Sequence, residues 1–111
     1  MSDQTDSHRY FKIVKSSELP EGERLFFEIE SLPIVLFNVN GEFLATGDLC
    51  SHDGGAIGDG ELDGNEIICP RHGARFDIHT GKALSLPAVV GIPVYPIRLI
   101  DDYIEVGIPE L

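Results

Sequence analysis

Both cysteines and two of the four histidines fall into one pattern: Cys50-Ser51-His52, then, after sixteen residues, Cys69-Pro70-Arg71-His72. Cys-x-His followed by Cys-x-x-His leaves no cysteine over, and each short pair offers one thiolate and one imidazole. Two such pairs on glycine-rich loops point to a metal site rather than a disulfide. The mixture of donors narrows the metal. Cys₂His₂ zinc sites usually pair Cys with Cys and His with His, a pattern that interleaved pairs fit poorly. They suit a two-iron, two-sulfide cluster in which one iron takes both thiolates and the other both imidazoles. Neutral imidazoles leave the oxidised cluster less negative than four thiolates would, so an electron adds more readily. One-electron transfer is the chemistry expected of Cys50, His52, Cys69 and His72. The alternative is a zinc site bracing an interaction module, colourless where an iron–sulfur protein is brown.

The donors need two loops and a scaffold to hold them. Residues 47–60 contain five glycines and the first pair, and read as one long functional loop. Gly54, Gly55 and Gly73 flank the donors; they could turn backbone N–H groups toward bridging sulfides, or serve only to form turns. Around these loops the chain breaks into short segments of strand character separated by turn signals, at 10–14, 24–29, 34–39, 42–46, 66–68, 76–78, 94–100 and 103–106. Asn40-Gly41 is the strongest hairpin signal; Asp63-Gly64, Thr80-Gly81 and Asp101-Asp102 mark further turns. No stretch has sustained helical periodicity, and there are no repeats. This predicts an all-β domain of antiparallel sheets. Phe26, Phe27, Phe37 and Phe43 are expected in its core, and His79 on its surface.

At 111 residues the chain is long enough for one domain with one core. Residues 1–9 read as a disordered tail and 10–111 as the domain. The start is polar, with no apolar segment of an export signal, and the longest apolar runs, such as 32–37, are too short to span a membrane. Two cysteines and no leader predict a reducing, cytoplasmic setting. The net charge is −11, and no Lys or Arg stands between Arg24 and Arg71, an interval holding Glu28, Glu30, Glu42, Asp48, Asp53, Asp59, Glu61, Asp63 and Glu66. Such a field repels nucleic acid and anionic membrane. It would steer a basic protein partner or simply favour solubility. Arg71 and Arg75 stand nearest the donors and could favour reduction, mark a docking point, or pair with acids such as Asp53 or Asp77. No dinucleotide fingerprint follows a strand, and His8 and His79 do not form a second, mononuclear iron site, so no catalytic residue is assigned.

The run from Cys69 to Asp77, Cys-Pro-Arg-His-Gly-Ala-Arg-Phe-Asp, with Thr80-Gly81 after it and Leu86-Pro87-Ala88 beyond, resembles the second ligand loop and the covering proline loop of Rieske-type [2Fe–2S] ferredoxins. The resemblance extends over nearly the whole chain after residue 9. It implies the Rieske fold, an antiparallel sheet sandwich carrying a small cluster-binding subdomain, with Pro87 in a third wall of the site. Where quinol-oxidising relatives place two disulfide-forming cysteines this chain has Gly55 and Arg71, and where they place Ser and Tyr hydroxyls it has Ala74 and Phe76. Lacking those hydroxyls, the centre is expected near the low end of the Rieske range, about −150 mV. The resemblance further implies a monomeric electron carrier between an NAD(P)H-dependent flavoprotein reductase and a terminal oxygenase. Alternatives are a nitrite reductase small subunit or an accessory to iron–sulfur assembly.

Overall fold

The computed structural model describes residues 7–51, 54–88 and 90–110. Ten strands follow in order: β1 (His8–Lys15), β2 (Arg24–Ile29), β3 (Leu32–Val39), β4 (Glu42–Gly47), β5 (Glu61–Asp63), β6 (Glu66–Ile68), β7 (Arg75–Asp77), β8 (Val94–Tyr95), β9 (Ile97–Ile100) and β10 (Tyr103–Pro109). The one helical segment among the described residues is a 3₁₀ turn, Ser16–Glu18. Pairing is antiparallel throughout and produces three sheets: β1-β10-β9, β2-β3-β4-β8 and the small β5-β6-β7. The all-β expectation holds.

The apolar run at 32–37 shows why the sheets assemble as they do. A strand with one wet face alternates apolar and polar residues; a strand covered on both faces need not. Five consecutive residues of β3, Ile34 to Asn38, are buried. Ile34 and Leu36 join Ala45, Ile104, Val106 and Ile108 in one core. Val35 and Phe37 point the other way, into a second core with Ile57, Ile67, Phe76, Ile78 and both cysteines. β3 is the wall between them, and the small sheet packs on its second face.

Several expectations need correction. β1 starts at His8, paired with Pro109, while Arg9 pairs with Ile108, so these two residues belong to the domain and not to a tail; residues 1–6 lie outside the described part. β5 was not foreseen, because three residues with two exposed acids carry no apolar signal. The segment 94–100 is two strands in two sheets, divided at Pro96, which has no N–H for a ladder. Phe26 is 43% exposed: β2 is an edge strand, and the ring caps Gly58 from outside. The β2–β3 hairpin turns at Glu30-Ser31, both at positive φ, a conformation usually reserved for Asn-Gly and its kin.

Candidate metal centre

The two donor loops are built alike. In the first, the Cys50 N–H donates to the Gly55 carbonyl at 2.7 Å and the Gly54 N–H to the Cys50 carbonyl at 2.7 Å. In the second, the Cys69 N–H donates to the Ala74 carbonyl at 2.8 Å and the Gly73 N–H to the Cys69 carbonyl at 3.0 Å. Gly54 and Gly73 stand at the same step of each turn with the same φ of 76°, where a Cβ would be strained. The closure therefore makes Cys50 equivalent to Cys69, Gly54 to Gly73 and Gly55 to Ala74. The amides of Gly54 and Gly73 are used in closing their own turns. His72 is the third residue after its cysteine and is exposed. His52, the second after its own, lies outside the described residues, as does Asp53.

The thiols meet between the loops. Cys50 and Cys69 are each 1% exposed and not disulfide-bonded, and the Cys50 side chain hydrogen-bonds Cys69. Burial pushes the Cys69 thiol pKa up. The backbone N–H groups of Arg71 and His72, the Cys50 thiol and the Arg71 charge outweigh it and hold the pKa below its ordinary value. Such a pocket favours the thiolate, the form that binds metal.

Three further segments position the loops. The carboxylate of Asp48 accepts the N–H groups of Ile57 at 3.0 Å and Gly58 at 2.6 Å, while its own N–H donates to Pro33 on β3 at 2.9 Å. The Arg24 guanidinium lies over the Phe37 ring and donates to the carbonyls of Gly58 and, at 2.8 Å, Gly60. On the third side the Leu86-Pro87 bond is cis, Pro87 is exposed and Ala88 buried. The Ser51 hydroxyl donates to the Val90 carbonyl, tying this segment to the first loop, and the Arg75 N–H donates to Ser85 Oγ at 3.1 Å. The Arg75 side chain pairs with Asp63 at 3.0 Å and Glu66 at 3.2 Å. Arg75 thus pairs with nearby acids, as one of the readings had it, though not with Asp77, which accepts the N–H of His79 at 2.7 Å. His79 is exposed, its Nε2 3.0 Å from Glu42. Gly55 and Arg71 are in contact across the loops.

Asp48 and Arg24 escaped the sequence reading. An Asp two residues before a cysteine in a glycine-rich loop is a local signal for an acceptor of loop N–H groups. Arg24 gives none, since its partners lie more than thirty residues away.

Two adjoining buried cysteines, one with its thiolate favoured, and an exposed imidazole on the same loop fit the donor chemistry of a mixed Cys/His iron–sulfur centre. Residues 9–96 match the Rieske [2Fe–2S] domain. The chain belongs to the Rieske [2Fe–2S] domain family. Its cofactor is accordingly a Rieske-type [2Fe–2S] cluster, and the zinc alternative falls away. The chain is 39% identical over 93 residues to the ferredoxin component of the naphthalene 1,2-dioxygenase system of Pseudomonas aeruginosa, covering 84% of this chain and 89% of that protein. It is 41% identical over 97 residues to the ferredoxin component of biphenyl 2,3-dioxygenase of Rhodococcus jostii (strain RHA1), covering 87% and 91%. Among solved structures, a chain from the complex of reduced oxygenase and oxidized ferredoxin in carbazole 1,9a-dioxygenase superposes with a TM-score of 0.82 at 28% identity, covering 92% and 96%.

Proposed function

We propose that this protein is the ferredoxin of a multicomponent oxygenase, taking single electrons from an NAD(P)H-dependent flavoprotein reductase and passing them to a terminal oxygenase. In this reading Cys50 and Cys69 hold one iron and His52 and His72 the other. A [2Fe–2S] cluster bound there takes up and releases one electron. The protein's share is to bury the thiolate end, donate the Arg71 and His72 N–H groups to Cys69, and leave the His72 edge in solvent. That asymmetry, buried thiols beside an exposed imidazole, is the observation that carries the proposal. Relatives at 39% and 41% identity that serve naphthalene and biphenyl dioxygenase systems support it. Among the described residues no helix is long and apolar enough to cross a membrane; we place the protein in the cytoplasm, as a monomer.

The test is reconstitution with iron and sulfide, then potentiometry and electron delivery from a flavoprotein reductase to a terminal oxygenase. A potential near −150 mV and oxygenase turnover that requires this chain are expected. Replacing His72 with Cys should perturb the cluster's spectrum and cut delivery. A potential well above zero would sink the low-potential assignment, and turnover indifferent to the chain would sink the oxygenase role.

A further inference from the structure

Arg71 stands between two donors, Cys69 and His72, yet its side chain ends in the other loop. Its Nη1 donates to the Ala56 carbonyl at 2.8 Å, and the guanidinium covers Gly55. A Cβ built on Gly55 would fall 2.7 Å from Arg71 Cζ and 2.8 Å from Nη2, distances that real Cβ atoms do not show.

The glycine at 55 has no backbone reason to be one. Its φ is not positive, so an L side chain is allowed there. The equivalent step of the second loop is Ala74, which carries a Cβ and is buried without difficulty. The turn therefore tolerates a methyl group at this step. What fills the space at Gly55 is Arg71.

From this juxtaposition we infer that Arg71 is a positioning residue, a strut that locks the first donor loop against the second, and that Gly55 is its seat. A guanidinium suits this role, because Nη1 donates to Ala56 while Cζ and Nη2 occupy the space a Gly55 side chain would take, which a Lys ammonium cannot do. The inference rests on the ligand assignment proposed above, because its purpose is to hold the two pairs in register for one cluster.

The experiment is a double-mutant cycle on the reconstituted full chain with Gly55→Ala, Arg71→Leu and both together. Two quantities are read: the rate at which a chelator strips iron, and hydrogen exchange at the amides of 54–58. Each single variant should speed iron loss by roughly tenfold, the worth of one charge-assisted hydrogen bond, and should raise exchange at 54–58 while exchange at Ile104 and Val106 stays as in the wild type. The double variant should be no worse than R71L alone, since the Cβ harms only by evicting the guanidinium. R71K, which keeps the charge and loses the planar seat, should recover part of the loss. Effects that multiply in the double variant, or a G55A protein identical to wild type, would overturn the strut. If the wild-type chain forms no cluster chromophore, the ligand assignment fails; exchange at 54–58 through the same cycle then still scores the strut.

Discussion

Removing the Asp48 carboxylate should loosen the first donor loop more than any other single surface-accessible change. Its Oδ1 accepts two N–H groups, from Ile57 and Gly58, and both residues are buried, Ile57 completely. In Asp48→Ala those donors lose their acceptor in a place where water reaches them poorly. An unsatisfied buried donor costs about 1–3 kcal/mol; with two of them and partial rescue by solvent at the half-buried carboxylate, the expected loss is about 3 kcal/mol. At about 4 °C per kcal/mol for a domain of this size, the midpoint of thermal unfolding falls by about 12 °C. Asp48→Asn keeps an oxygen at the same place without its charge and should lose only about 1 kcal/mol. Urea unfolding followed by circular dichroism gives the free energies, and hydrogen exchange at 57 and 58 locates the damage. An alanine variant within about 0.5 kcal/mol of wild type, the size of an ordinary surface change, would refute the reasoning. So would an asparagine variant as unstable as the alanine one, because the loss would then follow charge and not the acceptor.

Gly81 sits at φ +80° with its would-be Cβ 2.0 Å from the Ile92 carbonyl, and the Ile92 N–H donates back to Gly81 at 2.7 Å. Gly81→Ala should therefore cost at least about 3 kcal/mol in urea unfolding; a milder loss would mean that the two backbones can part. Burial raises the Tyr95 pKa, so the neutral phenol is favoured in the folded chain. Its contribution to stability is complete below the unfolded value of about 10 and is lost as pH climbs through the folded value. Absorbance at 295 nm should show a late phase that Tyr95→Phe removes; a titration curve whose late part is unchanged in that variant would contradict it. Stripping the metal should leave exchange protection intact in β10 and abolish it at 54–58 and 69–74, because the core that holds Ile104, Val106 and Ile108 contains no cysteine. Uniform loss of protection would show that the cores are not separable.

The family and its cluster were the most legible part of this chain, since two cysteines and two histidines at such short spacings seldom come together without a metal to hold. The strands with strong alternation or apolar runs were legible too: β2 and β6 at the expected bounds, and β3 and β4 within two residues. What stayed hidden has a common cause. β5 exists because β6 offers it an edge, not because Glu-Leu-Asp prefers to be extended. Phe26 looks like core until the sheet leaves β2 at its margin. The Glu30-Ser31 turn is dictated by the register of β2 on β3, in which Ile29 faces Leu32, and not by residues suited to positive φ. Arg24 and Arg71 act on carbonyls that are near only after the chain has folded. Local chemistry reads from a sequence, whereas edges, registers and long arms belong to the assembled molecule.

The pairing of His8 with Pro109, extended by the Glu110 N–H donating to Ser7, brings both described ends of the chain to one place. That place lies on the sheet whose central strand, β10, packs into the core without cysteines. Anything attached at Ser7 or Glu110, whether a surface tether, a second redox module or a short bridge joining the two to make a circular permutant, starts from this one corner. β3 then stands between the attachment and the thiols. The protein has in effect a handle and a far tip divided by a wall, so it can be gripped or fused on one side of β3 while the two cysteine loops on the other side are left untouched.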